Sequence, residues 1–340
     1  MIKYNKHIDN IIRNDTAYGS IDALRLHASE RDSVFIHNMW NDFKSSLSQS
    51  DIRYYPDVGK GYRLLEDITK IDKSHLMLFD GSDRAIRNIF QIYVEPGSNV
   101  ITTSPGFPMY EVYTKMFNGN LIDICYSNMQ CPTDVIVSAI NDKTNLVILS
   151  NPNSPLGNLI NITTINRILE TCIKYNIMLA IDEAYIEFSN QSSMCELAKI
   201  HPNLIVIKTF SKAFGSAGIR VGYTVSTKSN RDLLNKIKSM NDITSMSISW
   251  LEVLSKYKDQ VDNYVNDVKM NRQHLLQTLK THNVNHIGSC TNFIHIDLKK
   301  ELSNILTKQC QLFNTNYVRV SIPGDEQNYK LLLNQILESI

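Results

Sequence analysis

The chain has 340 residues, with 35 Lys and Arg against 34 Asp and Glu, for a formal net charge of +1. That balance argues against the basic face of a nucleic-acid-binding protein, and no run of ~18 apolar residues offers a membrane span. With 43% hydrophobic and 20% charged residues, the chain can bury a sizeable core without disulfides or structural metal. Its polar beginning, without an apolar leader, points to the cytoplasm.

The Ser-rich stretch at 45–50 reads as a short connection after an N-terminal arm. From about residue 60 to 226, helix and strand alternate. The spacing predicts a helix over 62–71 and a second over 82–94, opened by Gly81-Ser82-Asp83. A short strand follows at 99–103, and Pro105-Gly106-Phe107-Pro108 turns the chain into a helix through 117. The apolar run 146–149 is stopped by Asn151-Pro152-Asn153-Ser154-Pro155. A helix at 160–175 and strands at 177–181, 204–207 and 221–225 complete the series. Beyond 226 come long helices, strands at 293–296 and 317–322, and a closing helix.

This pattern predicts an α/β fold, with a mostly parallel mixed sheet between helices and a smaller α+β domain. The expected division is an arm and part of the small domain over 1–45, a large ligand-binding domain over 46–235, and a small domain over 236–340. The six cysteines are scattered, none with the two-residue gap of a zinc or redox pair. His282 and His286 are four apart, but Asn283, Asn285 and Gly288 break up a helix there. No metal site is expected.

In an open parallel sheet, ligands sit beyond the carboxyl ends of the strands. Lys212 lies at such an end, in Thr209-Phe210-Ser211-Lys212-Ala213-Phe214-Gly215, with Arg220 eight residues on. A lone strand-end lysine is ordinarily a solvated surface residue. A partly desolvated one can lose its proton and form a Schiff base. Ser211 and Arg220 could hold a phosphate, the arginine through paired N–H donors. Asp182 ends the apolar run 177–181, a poor place for an unpaired carboxylate. It is either a cap or core ion-pair member, or the counter-charge for a protonated pyridine nitrogen. Tyr185 could reach the same ligand. Gly81, Ser82 and Asp83 offer backbone N–H groups at a helix start, where phosphate binds readily.

Together these residues resemble the fold-type-I, pyridoxal-phosphate-dependent aminotransferases, and within them the histidinol-phosphate aminotransferase group. The ordered motifs are Gly81-Ser82-Asp83, Pro105-Gly106-Phe107-Pro108-Met109-Tyr110, Asn151-Pro152-Asn153-Ser154-Pro155-Leu156-Gly157, Asp182-Glu183-Ala184-Tyr185, Ser211-Lys212-Ala213-Phe214 and Arg220-Val221-Gly222-Tyr223. The resemblance implies pyridoxal 5'-phosphate as cofactor, with Lys212 bonding its aldehyde carbon and then carrying the Cα proton. It implies that Asp182 pairs with the ring nitrogen, Tyr185 with the ring oxygen, and that Phe107 stacks on the ring. Ser82, Asp83, Ser211 and Arg220 would bind the phosphate, and Tyr55 would reach the cofactor phosphate of a second subunit in a homodimer. Arg319 would take the substrate carboxylate.

Two departures follow. The family's asparagine before Pro-Thr-Gly is here Ser154, with Leu156 for the threonine. The ring-oxygen contact therefore falls to Asn153, one residue earlier, or to Ser154 itself. The second arginine that the group carries upstream of Arg319 is missing, and the stretch 305–312 offers only Lys308. A lysine gives no planar two-point grip. The expected reaction moves an amino group, with glutamate as donor, to a small acidic or phosphorylated keto acceptor, histidinol phosphate being a poor substrate. If instead Lys308, or Tyr18 or Arg13 of the arm, replaces the missing contact, histidinol phosphate remains the substrate. Two other functions share the scaffold: decarboxylation of a phosphorylated amino acid, as in threonine-phosphate decarboxylases, and a non-catalytic regulator. Retention of Lys212 argues against the regulator.

Overall fold

Seven strands alternate their side chains between two apolar layers. The computed structural model describes residues 2–12 and 23–339. Its strands are β1 (Leu24–Arg25), β2 (Leu76–Phe79), β3 (Asn99–Ser104), β4 (Asn120–Cys125), β5 (Thr144–Ser150), β6 (Met178–Asp182), β7 (Leu204–Thr209), β8 (Gly222–Val225), β9 (His286–Ile287), β10 (Phe293–Ile296), β11 (Ile305–Leu306), β12 (Lys308–Leu312) and β13 (Thr315–Ser321). The large sheet runs β2-β8-β7-β6-β5-β3-β4. Only β8 is antiparallel, to both β2 and β7. Val147, Leu149, Leu179, Ile181 and Val206 enter one core, while Leu146, Ile148, Met178, Ala180 and Ile205 enter the other. Apolar residues on successive positions are what a sheet covered on both faces requires.

Helix ends follow local chemistry. The helix expected over 62–71 starts earlier, at Val58–Thr69, because the Asp57 carboxylate accepts from Lys60 N–H at 3.0 Å. Helix Ile162–Lys174 is opened by Asn161, which accepts from Thr164 N–H at 2.8 Å. Helix Ser82–Tyr93 buries Ala85, Ile86, Ile89 and Phe90, a stripe of helical period. Its cap is Gly81, at φ +80° and without a side-chain acceptor, so the first-turn N–H groups get no capping from it.

The second sheet runs β12-β13-β10-β9, all antiparallel. Helices Lys258–Thr281 and Glu326–Ser339 build its core, Val265, Val268 and Leu275 from the first and Leu332 and Ile336 from the second. The N-terminal segment completes this part: β1 pairs in parallel with β11, and Ser321 N–H donates to Leu26 C=O at 2.8 Å. Helix Ser245–Lys256 instead sends Ile248, Trp250, Leu251 and Leu254 into the core of the large sheet, beside Met39 and Phe43. That core therefore draws on residues well outside 46–235. Among the described residues, no helix is long and apolar enough to cross a membrane.

Candidate active site

Register puts β5, β6 and β7 side by side with their carboxyl ends level, Ser150 beside Asp182 and Asp182 beside Ile207. The loops leaving these ends, with those after β2 and β3, carry the motifs that fall on the large sheet. Lys212 lies three residues past β7. Its Nζ donates to Ala28 C=O at 2.8 Å and stands 5.6 Å from the centre of the Tyr185 ring. Tyr185 is buried. Burial raises its phenol pKa, but the Lys212 ammonium, the Arg319 guanidinium and the Ser29 and Ser154 hydroxyls outweigh this and bring it below the ordinary value. A phenol whose proton is loosened by two nearby cations suits a partner that shares it.

Asp182 is buried at the end of β6. Its Oδ2 accepts from Tyr110 Oη at 3.0 Å and its Oδ1 from Ala184 N–H at 3.1 Å. Burial is the largest influence and holds its carboxyl at about 6, with the Tyr110 and Ala184 donors and Lys208 pulling down and the Asp83 carboxylate pushing up. Asp83 Oδ1 is itself buried without a hydrogen-bond partner. A buried carboxylate with a second one pressing on its charge calls for a positive partner.

Gly81, Ser82 and Arg220, among the phosphate-binding candidates, meet where β8 passes helix Ser82–Tyr93. A Cβ on Gly81 would collide with the Arg220 guanidinium, and one on Gly222 with the backbone of Gly81 and Ser82. The Arg220 guanidinium thus packs against the glycine that opens the helix, its Nη1 donating to Ala217 C=O at 3.2 Å. Ser211 is buried nearby in sequence, its N–H on Thr209 Oγ1 at 3.1 Å. Uncapped helix N–H groups beside a guanidinium form an anion cradle. Phe107 is half-buried, its ring edge-on to Tyr110 at 5.5 Å and 76°.

Arg319 is buried on β13. Its Nη2 donates to His27 C=O at 2.9 Å, and its guanidinium stands 4.9 Å from the centre of the Phe293 ring. Phe293 in turn meets Tyr185 edge-on at 5.4 Å, which joins the small sheet to the lysine site. Directly across from Arg319 in register are Lys308, exposed, and His295, buried between Phe293 and Tyr317. Burial first, and then Arg319, push the His295 pKa down to about 3, so its imidazole is neutral.

The family described as aminotransferase class I and II matches residues 45–336. The chain belongs to that family. The histidinol-phosphate aminotransferase of Flavobacterium psychrophilum is 30% identical over 96% of this chain and 98% of its own length. That of Christiangramia forsetii is likewise 30% identical, over 96% of both. The solved histidinol-phosphate aminotransferase of Sinorhizobium meliloti, in complex with pyridoxal-5'-phosphate, has 20% sequence identity and a TM-score of 0.86 over 100% of this chain and 98% of that one, and so shares the fold. The chain is an aminotransferase with pyridoxal 5'-phosphate as cofactor. The residues present fit that group: an anion cradle with no room for a Cβ, a buried carboxylate, and a lysine beside a buried phenol.

Tyr18 lies outside the described residues. Asn153 is buried with its carboxamide used by its own loop and the one after β3: Oδ1 accepts from Leu156 N–H at 3.0 Å and Nδ2 donates to Pro105 C=O at 3.3 Å. It shapes the turn, and of the two candidates Ser154 is the one beside Tyr185. Tyr55 is 85% exposed and touches none of these residues through a hydrogen bond. Sequence reasoning missed Tyr110, although it stands inside a quoted motif. It also missed the His27 and Ala28 carbonyls, and the buried Lys208, whose Nζ sits 2.6 Å from Glu187 and 3.6 Å from Glu183. Glu183 accepts from Ser193 Oγ and from Met194 N–H, so this ion cluster pins the loop that carries Tyr185. A charged lysine inside an apolar strand was the signal for it.

Proposed function

We propose that this enzyme transfers an amino group between glutamate and a small acidic or phosphorylated keto substrate, working as a homodimer in the cytoplasm. The observation that carries the reading is the placement of Lys212 beside the Tyr185 phenol, with the Arg319 charge acting on the same phenol from the small sheet. When bound, the cofactor supplies an aldehyde carbon that carries the nitrogen and a ring that takes up electrons released at the substrate Cα. Lys212 would attach the cofactor, and once freed by substrate its amine would move the proton at Cα. Asp182 would face the ring nitrogen and hold its proton. Tyr185, with Ser154, would hold the ring oxygen. Phe107 would cover one ring face, and the backbone N–H groups of Gly81, Ser82 and Asp83, with Ser211 and Arg220, would grip the phosphate. Arg319 would exchange its carbonyl partner for the substrate carboxylate, a stronger, charge-assisted bond.

The name shared by the curated relatives supports a phosphate-bearing substrate. Lys308, exposed on the strand next to Arg319, supports a second anionic group held by a single point charge. Six free cysteines suit a reducing compartment. Exposed Ile52, Tyr54 and Tyr55 support a partner subunit at that edge. The test is a panel of phosphorylated and plain amino donors, followed by the cofactor spectrum and by release of carbon dioxide. Glutamate and a small phosphorylated partner should turn over without carbon dioxide, with histidinol phosphate below ~10⁴ M⁻¹s⁻¹ in kcat/KM, the low end of ordinary enzymes. Histidinol phosphate at or above that value would overturn the substrate assignment, and stoichiometric carbon dioxide would overturn transamination.

A further inference from the structure

The hydroxyl of Tyr110 is aimed at Asp182, and none of the roles above uses it. Tyr110 lies in the first turn of helix Met109–Met116, three residues after Phe107, and is buried. Its Oη is 3.0 Å from Asp182 Oδ2 and 3.4 Å from Ser150 Oγ. A phenol has one proton to give. The carboxylate is nearer and charged, so it is the acceptor, and Ser150 is left to donate to the phenol oxygen. Burial first, and then the Asp182 charge, hold the Tyr110 phenol far above its ordinary pKa, so it stays the donor at any working pH.

Four groups bear on the Asp182 charge, each from a different part of the fold. Tyr110, from the helix after β3, favours the ionised form most, followed by the Ala184 N–H of its own loop. Asp83, from the helix after β2, opposes it, and Lys208, from β7, assists weakly. Against them all stands burial, the largest influence. The same tyrosine also meets Phe107 edge-on at 5.5 Å, so one side chain touches both the aromatic assigned to the cofactor ring face and the carboxylate assigned to its nitrogen.

We propose that Tyr110 is a positioning residue for the cofactor's counter-ion: its hydroxyl keeps Asp182 ionised and fixed in one orientation, and ties it to Phe107. This rests on the functional reading above. Without the hydroxyl, Asp182 takes up a proton more readily, and a neutral acid no longer balances a protonated ring nitrogen.

Tyr110→Phe removes one oxygen and keeps the ring that packs on Phe107. In full-length protein stripped of cofactor, carbon-13 NMR of labelled aspartate follows the Asp182 carboxyl, assigned by its loss in Asp182→Asn. The Phe variant should raise the Asp182 midpoint by about one pH unit, tenfold in proton affinity. Replacing Tyr110 by 3-fluorotyrosine, a stronger donor of nearly the same shape, should lower it. Opposite shifts cannot come from packing alone, and the fluorinated protein keeps the test if the Phe variant fails to fold. Midpoints that stay put, or that move together, overturn the proposal. Because the titration needs no cofactor, a chain that takes up no pyridoxal phosphate would overturn the functional reading separately.

Discussion

Asp182 costs the cofactor-free protein stability. Its carboxyl takes up a proton at about 6 when folded, against about 4 in an unfolded chain. A folded pKa above the unfolded one means that the stability tied to this group is complete below pH ~4 and is lost as pH rises through 6. The gap of about two units corresponds to roughly 3 kcal/mol. Asp182→Asn, which cannot ionise, should therefore gain on wild type by on the order of 2–3 kcal/mol between pH 4 and pH 7.5, read by urea denaturation of stripped protein. An equal difference at both pH values would show that the carboxylate is not desolvated. With cofactor bound the order should reverse in function: Asp182→Ala should lose proton abstraction by orders of magnitude while still holding cofactor through its phosphate. Lys212, Asp182, Tyr185 and Arg220 could be picked out in the sequence because each sits in a short local motif at a strand end. The bond from Tyr110 to Asp182 spans 72 residues and that from Arg319 to His27 spans 292, and separations of that size exist only once the sheet has formed.

At the scale of elements, the proposed phosphate cradle depends on a close crossing of β8 and the start of helix Ser82–Tyr93. Gly81 and Gly222 make it possible, and three alanine substitutions separate the reasons. Gly97→Ala, at φ +84° with open space around it, meets backbone strain alone and should cost about 1 kcal/mol. Gly81→Ala adds a collision with the Arg220 side chain at φ +80° and should weaken cofactor affinity at least tenfold. Gly222→Ala meets the backbone of Gly81 and Ser82, which cannot swing aside, and should destabilise by several kcal/mol. Thermal melts with and without pyridoxal phosphate read both effects, and Gly81→Ala binding like wild type would contradict the cradle. Strands β3, β5, β6, β7 and β8 were foreseeable from apolar runs between turn residues. β2 and β4 were not singled out: the first is four uninterrupted apolar residues without a period, and the second a half-buried edge with Asp123 in it. Helix starts shifted wherever an Asp or Asn cap overrode the hydrophobic spacing.

For the whole molecule, the proposed homodimer places Tyr55, 85% exposed on its own chain, at the cofactor phosphate of the second subunit. Tyr55→Ala and Lys212→Ala, each inactive alone, should partly restore activity when mixed and allowed to exchange, since one site of the hybrid carries both native residues. A fully active monomer on sedimentation would contradict this. Glutamate use should fall sharply in Arg319→Ala, because the substrate carboxylate loses its charged anchor on β13. The most direct test of the central claim is the mass of the whole chain after incubation with pyridoxal phosphate and reduction with borohydride. One cofactor should be fixed per chain, mapped by peptide digestion to Lys212 and absent from Lys212→Ala. A chain that gains no mass, or that carries the label on another lysine, would contradict the account.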